Sequence, residues 1–115
     1  MKKAFILSTC STCQRILAQT EWDGEIQDLK EKNIDEKLLD QLAKEHGSYE
    51  SLFSRRAMKF RSLGLNEKKL TEKDYKKWIL KEYTFLKRPV FIIGKQSFVG
   101  NTKTVVEALK SCLSK

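Results

Sequence analysis

The apolar run Ala4-Phe5-Ile6-Leu7 passes within three residues into Cys10-Ser11-Thr12-Cys13, and helical periodicity follows at once. An unbroken apolar run reads as a strand buried on both faces, so residues 2–7 are expected at the centre of a sheet. Cys13, Ile16, Leu17 and Thr20 fall at i, i+3, i+4 and i+7 and make one helical face. Trp22-Asp23-Gly24 reads as a turn into a weak strand at 25–29. The chain therefore opens strand, helix, strand.

The far end has a different order. Pro89 opens the apolar run Val90-Phe91-Ile92-Ile93. Gly94-Lys95-Gln96 can turn this strand into a second one at 97–99, making a hairpin. A last helix places Val105, Val106, Leu109, Cys112 and Leu113 on one face. Between the two ends the signals are helical. Asp35 can cap a helix that runs to His46, with Leu38, Leu39, Leu42 and Ala43 on one face and Gly47 as its stop. Residues 49–53 and 57–63 read as two short helical pieces, closed by Gly64. Thr71 and Asp74 resemble a capping box, with Asp in place of Glu or Gln. The helix that follows is expected to bury Tyr75, Trp78, Ile79 and Tyr83. The stretch 35–85 is too long for a simple connection and is expected as an inserted helical lobe. A chain of 115 residues supports one core, so a single domain over 1–115 is expected, its sheet drawn from about 1–34 and 86–115. The fold class is α/β, a small mixed sheet with helices on its faces.

No apolar run approaches the roughly 20 residues of a membrane span or the apolar stretch of a signal peptide, so a cytoplasmic protein without membrane contact is expected. The formal net charge of +8 is uneven. Residues 58–115 carry 14 basic and 5 acidic side chains, whereas 1–57 carry 9 and 10. A basic half suits an anionic partner: nucleic acid, an acidic protein surface or a small oxyanion. A solvated lysine surface accounts for it equally well. Direct nucleic-acid binding is not expected, because Tyr75, Trp78 and Tyr83 lie at helical spacing as core residues and no zinc-finger, recognition-helix or RNA-binding signature occurs.

The 3 cysteines differ in setting. Cys112 lies on the apolar face of the last helix and reads as core. Cys10 sits where a strand ends and a helix begins. First-turn amides there have no partners within the helix, and with the macrodipole they favour negative charge. A Cys10 thiolate is what that field stabilises, with Arg15 adding positive charge. Cys13 follows one turn on, within reach of a disulfide if geometry allows. Three readings compete for the pair: a reactive thiol pair, a metal site, and two inert cysteines. A zinc site would need four ligands, and only Cys112 and His46 remain, at no recognisable spacing, so no metal is expected. His46 beside Gly47 suits a modest dipole role at a helix end. Arg88 precedes Pro89, which can open a strand and can also take a cis bond. If the sheet sets the start of this strand beside the end of the first, Arg88 lies near Cys10. There it could hold an oxyanion by two parallel hydrogen bonds or stabilise the thiolate. Ser54-Arg55-Arg56 makes a second basic spot, surface charge by default.

Three segments carry a resemblance. They are Phe5-Ile6-Leu7-Ser8-Thr9-Cys10-Ser11-Thr12-Cys13, then Leu52-Phe53-Ser54-Arg55-Arg56 leading to Phe60-Arg61-Ser62-Leu63-Gly64-Leu65, and Lys87-Arg88-Pro89-Val90 followed by Phe98-Val99-Gly100. In this order and spacing the chain resembles the ArsC/Spx family over residues 3–113. That family includes glutaredoxin-coupled arsenate reductases and Spx-type redox regulators. The resemblance implies a thioredoxin-like mixed sheet with helices on both faces, an inserted helical lobe, and a cis proline facing the reactive thiol. It implies a thiol-based oxidoreductase with Cys10 as nucleophile and a Cys10–Cys13 disulfide within reach. Cys13 and Arg88 would share the catalytic work; Arg55, Arg56, Thr12 and Pro89 would bind substrate. No cofactor would be bound, glutathione or glutaredoxin would be the external reductant, and a monomer is expected.

The reductases of the family use three arginines. Arg88 matches the second. Ser54 falls at the first, with Arg55 and Arg56 just beyond, and Phe98-Val99-Gly100-Asn101 holds none for the third. Lys95 or Lys103 could supply charge there, but as points and not forks. A lost charge-assisted contact costs roughly 1.5–3 kcal/mol, about one to two decades in rate, which counts against efficient arsenate reduction. Cys13 and the glycine after Val99 are like Spx, whose Cys-x-x-Cys is a thiol switch and whose partner is the RNA polymerase α subunit. The longer C-terminal part of Spx proteins is expected to be missing here.

Overall fold

A computed structural model describes residues 1–114. The strands are β1 (Lys2–Ile6), β2 (Glu25–Asp28), β3 (Val90–Ile93) and β4 (Gln96–Val99). The helices are α1 (Ser11–Gln19), α2 (Glu36–His46), α3 (Met58–Ser62), α4 (Glu72–Lys81) and α5 (Lys103–Leu113). Short 3-10 turns lie at Glu50–Leu52, Leu65–Glu67 and Tyr83–Phe85. The order in the sheet is β2-β1-β3-β4. β1 runs parallel to β2 and antiparallel to β3, and β3 and β4 form the hairpin. This is the thioredoxin-like α/β arrangement. Two compact units divide the chain: Met1–Lys32 with Arg88–Lys115, and Asn33–Lys87. No helix among the described residues is long and apolar enough to cross a membrane.

In the sheet unit β1 is central, and Ala4, Phe5, Ile6 and Leu7 are all buried, as an unbroken apolar run requires. Ala4, Ile6 and Phe91 share one face with Cys13 and Ile16 of α1 and Leu109 of α5. The opposite face, with Phe5, Val90 and Ile92, is buried as well. The hairpin register pairs Ile93 with Gln96, so Gly94-Lys95 is a two-residue turn, with Gly94 first at a φ of 61°. Gly24 sits where the turn into β2 presses on β1. A Cβ there would lie 2.7 Å from the Lys2 carbonyl oxygen, so the position excludes a side chain.

The helical unit has its own aromatic core. Phe53 stacks on Phe85 at 4.9 Å between ring centroids and meets Tyr75 edge-on at 5.0 Å and Phe60 at 5.9 Å. A bridge between Phe53 and Leu86 ties the middle of this unit to its end, supported by Ser54 N–H donating to the Phe85 carbonyl at 2.7 Å. The capping box at Thr71 is formed. The Asp74 amide donates to Thr71 Oγ1, and the Asp74 carboxylate accepts from the Thr71 amide at 2.9 Å. Thr71→Ala should cost about 1 kcal/mol, read as a lower urea midpoint at unchanged slope.

Four local expectations change. Asp35 occupies the position before α2, but its side chain makes no capping hydrogen bond. Tyr83 is not on α4, because Glu82 turns to extended backbone (φ −135°, ψ 111°) and ends the helix, its carboxylate held by Lys59 and Thr84. Trp78 is half-buried, edge-on to Phe85. Cys112 is half-buried and not core: Leu109 takes the deep position of α5, and the Cys112 thiol donates to Gln96 Oε1 at 3.4 Å.

Candidate functional site

The chain leaves β1 through a tight turn, in which the Cys10 amide donates to the Leu7 carbonyl at 3.0 Å. Cys10 then stands at the cap of α1 with extended backbone (φ −91°, ψ 109°). Its sulfur does what a capping oxygen does elsewhere and accepts the Cys13 N–H at 3.4 Å. The helix carries no acidic residue in its first turn, so nothing on it opposes an anion. Burial works to raise the Cys10 thiol. Hydrogen bonds from the Cys13 amide and thiol, the Arg88 charge and the Thr12 amide outweigh it, and the group lies below its ordinary value.

Cys13 has the opposite character. It is 0% exposed and belongs to the apolar cluster under α1. Burial first, and the neighbouring Cys10 second, push its thiol up to about 12, although a hydrogen bond from the Leu7 backbone and the Arg88 charge pull the other way. Cys10 is thus the more readily ionised sulfur of the pair, at the helix mouth, and Cys13 the protonated donor beneath it. Both thiols are free.

Arg88 comes to this site through the sheet. β3 is antiparallel to β1 with Phe5 opposite Val90, so the start of β3 lies beside the end of β1. The Arg88–Pro89 peptide is cis, Pro89 is buried, and its carbonyl accepts the Gly100 amide at 2.9 Å. Arg88→Ala should slow alkylation of Cys10 by iodoacetamide about tenfold near pH 6.5. The sign follows from the charge: the guanidinium favours the thiolate, so its loss moves ionisation to higher pH. The deficit should vanish in alkali, where both proteins carry the thiolate, and Arg88→Lys should recover most of the rate.

Cys10, Thr12, Cys13, Arg88 and Pro89 all belong to the sheet unit. Arg55 and Arg56 belong to the helical unit. There Arg55 donates to Glu50 at 2.6 Å and to the Tyr75 hydroxyl at 2.9 Å, and Arg56 is exposed. Lys95 is displaced from any role beside the thiols. It lies in the hairpin turn, and the four residues of β3, about 13 Å of strand, separate that turn from Pro89. Gly100, with a φ of 99°, follows β4. Sequence reasoning passed over Asp28, whose carboxylate accepts from the Ser8 amide at 3.4 Å and the Lys30 amide at 3.1 Å. Only the pairing of Ile6 with Asp28 brings it there. Among the described residues no group of three or more His, Cys, Asp or Glu side chains could hold a metal ion.

Comparison with solved structures finds the same fold repeatedly. The protein YFFB superposes with a TM-score of 0.82 at 23% identity, over 98% of this chain and 99% of that one. A possible arsenate reductase from Streptococcus mutans gives 0.76 at 23% identity, over 95% and 97%. An arsenate reductase from Vibrio cholerae gives 0.75 at 16% identity, over 92% and 97%. At these identities the likeness is one of fold. A search of curated protein sequences returned no significant match. The ArsC family model, in contrast, matches the sequence itself over residues 5–109 and spans both the cysteine turn and the Arg-Pro strand. By that match the chain belongs to the ArsC family.

Proposed function

We propose that this protein is a thiol-based oxidoreductase in which the Cys10 thiolate is the nucleophile. The observation that carries the reading is the Cys10 sulfur at the mouth of α1, accepting the Cys13 N–H at 3.4 Å with the Arg88 charge acting on it. Membership of the ArsC family supports the same chemistry. The thiolate attacks one sulfur of a disulfide. A new S–S bond forms to Cys10, the old one breaks, and the leaving thiolate takes a proton from solvent. An external thiolate, from glutathione or glutaredoxin, then attacks the substrate sulfur and releases Cys10. The external thiol supplies both electrons. Cys13 can attack the Cys10 sulfur instead and close a Cys10–Cys13 disulfide. Its burial and its high pKa favour the external route at neutral pH.

Arsenate is the weaker substrate. Thr12, Pro89 and Arg88 would form the oxyanion side of the site. No arginine follows β4, and Lys103 at the start of α5 offers a point charge in its stead. A coupled assay with glutathione, glutaredoxin and glutathione reductase tests the reading on a small disulfide, hydrogen peroxide and arsenate. Turnover of the disulfide with little on arsenate is expected. Absence of thiol consumption with all three would remove the proposal.

A second reading is favoured by the pair itself, two free thiols one helical turn apart. Oxidation to a Cys10–Cys13 disulfide would take the anion off the helix mouth and change the surface offered to a partner, as in an Spx-type regulator acting on the RNA polymerase α subunit. Binding to that subunit in the reduced and oxidised states discriminates, since equal or absent binding in both counts against regulation. For both readings we propose a monomer acting in the cytoplasm.

A further inference from the structure

The turn that delivers Cys10 is short, and its geometry sets where the sulfur stands. Leu7 and Cys10 close it by the 3.0 Å hydrogen bond, and Ser8 and Thr9 are its two central residues. Both thiols depend on it. Cys10 leaves its last position, and the Leu7 backbone at its first position donates to Cys13. One carboxylate fastens this turn from the neighbouring strand. Asp28, the last residue of β2, accepts from the Ser8 amide at 3.4 Å and from the Ser8 side chain. Asp28 is itself anchored. It pairs with Ile6, the next amide, Leu29, donates to the Ile6 carbonyl at 2.8 Å, and its carboxylate also accepts the Lys30 amide. From the helix side, Gln14 donates to the Ser8 carbonyl at 3.5 Å.

We infer that Asp28 is a positioning residue for the Cys10 thiolate, acting through Ser8 to hold the Leu7–Cys10 turn in the shape that presents the sulfur to the first-turn amides of α1. The inference rests on the reading of Cys10 as nucleophile. It has a distinctive sign. Asp28 is an anion on the turn beside Cys10, so loss of its charge alone would ease ionisation of Cys10 and speed its alkylation. Loss of its hydrogen bonds loosens the turn, weakens the N–H contact to sulfur and slows alkylation.

The test measures alkylation of Cys10 by iodoacetamide against pH, read by mass spectrometry of the Cys10 peptide, in a Cys112→Ser background. Asp28→Ala should shift the profile to higher pH and slow the reaction about tenfold near pH 6.5. Asp28→Asn keeps an acceptor oxygen without the charge and should stay within about twofold of the parent. Ser8→Ala, which keeps the amide but loses the hydroxyl, should fall between, and it carries the comparison if Asp28→Ala does not fold. A low parent profile that Asp28→Ala and Ser8→Ala leave unchanged, or that moves to lower pH, overturns the role of Asp28 alone. A parent profile at the ordinary thiol value removes the nucleophile reading and the role of Asp28 with it.

Discussion

Replacing Cys10 with Ser is expected to abolish thiol–disulfide exchange by the reduced protein, a fall on the order of 10³-fold or more. The reason is specific to sulfur. A thiol with its ionisation lowered offers more thiolate near neutral pH than a free cysteine, whereas a serine hydroxyl in the same field stays protonated. The helix-mouth amides and Arg88 cannot substitute, because they stabilise an anion and supply no electrons. Cys13→Ser should behave differently. It removes one hydrogen bond to the Cys10 sulfur and one buried thiol but keeps the nucleophile, so exchange through external glutathione should persist at reduced rate. Stopped-flow measurement of thiolate release from an aromatic disulfide separates the two variants. Equal loss in both would mean that the pair works as one unit, with Cys13 as the obligatory second thiol. Full activity in Cys10→Ser would remove Cys10 as nucleophile. Circular dichroism keeps the comparison fair, since serine is itself a good cap for α1 and should leave the helix intact.

The parts of this fold that announce themselves are local. The run at 4–7, the apolar face of α1 and the Gly94-Lys95 turn each state their structure within a few residues, and β1, α1 and the hairpin follow. Helix ends are harder. The spacing of Tyr75, Ile79 and Tyr83 continues past Lys81, yet Glu82 leaves the helix to meet Thr84 and the distant Lys59. Periodicity also gives the side of a helix but not its depth. Cys112 is on the expected side of α5, but the sheet below it carries Gln96, so the thiol finds a polar neighbour at the rim.

The candidate site divides in the same way. The setting of Cys10 is written in consecutive residues: strand, turn, thiol, helix. Arg88 joins it only because β3 runs antiparallel to β1, a condition that sequence can pose but not resolve. Asp28 enters through parallel pairing of β1 with β2, 20 residues from Ser8, and no local pattern marks it. Non-local pairing is thus what turns a reactive-looking motif into a site with defined supports.

Phe53→Ala should produce the largest stability loss in the helical unit, about 3–5 kcal/mol. Phe53 is 1% exposed and touches three rings, two of them at about 5 Å, so truncation removes both its own buried area and the face against which Tyr75 and Phe85 pack. Its backbone also belongs to the bridge with Leu86 that ties the middle of this unit to its end, so the cavity opens at the tie. A domain of this size is stable by roughly 5–15 kcal/mol, so the variant should lie near the edge of folding at 37 °C. Phe53→Leu refills much of the space and should cost less than half as much. The consequence reaches Arg55. Its guanidinium sits over the Tyr75 ring at 5.6 Å and donates to the Tyr75 hydroxyl, so Tyr75 shifting into the vacated space would release it. Urea unfolding followed by tryptophan fluorescence reads the loss directly, because Trp78 packs on Phe85 in the same cluster. A midpoint within about 1 kcal/mol of wild type would show that the unit does not depend on this ring stack.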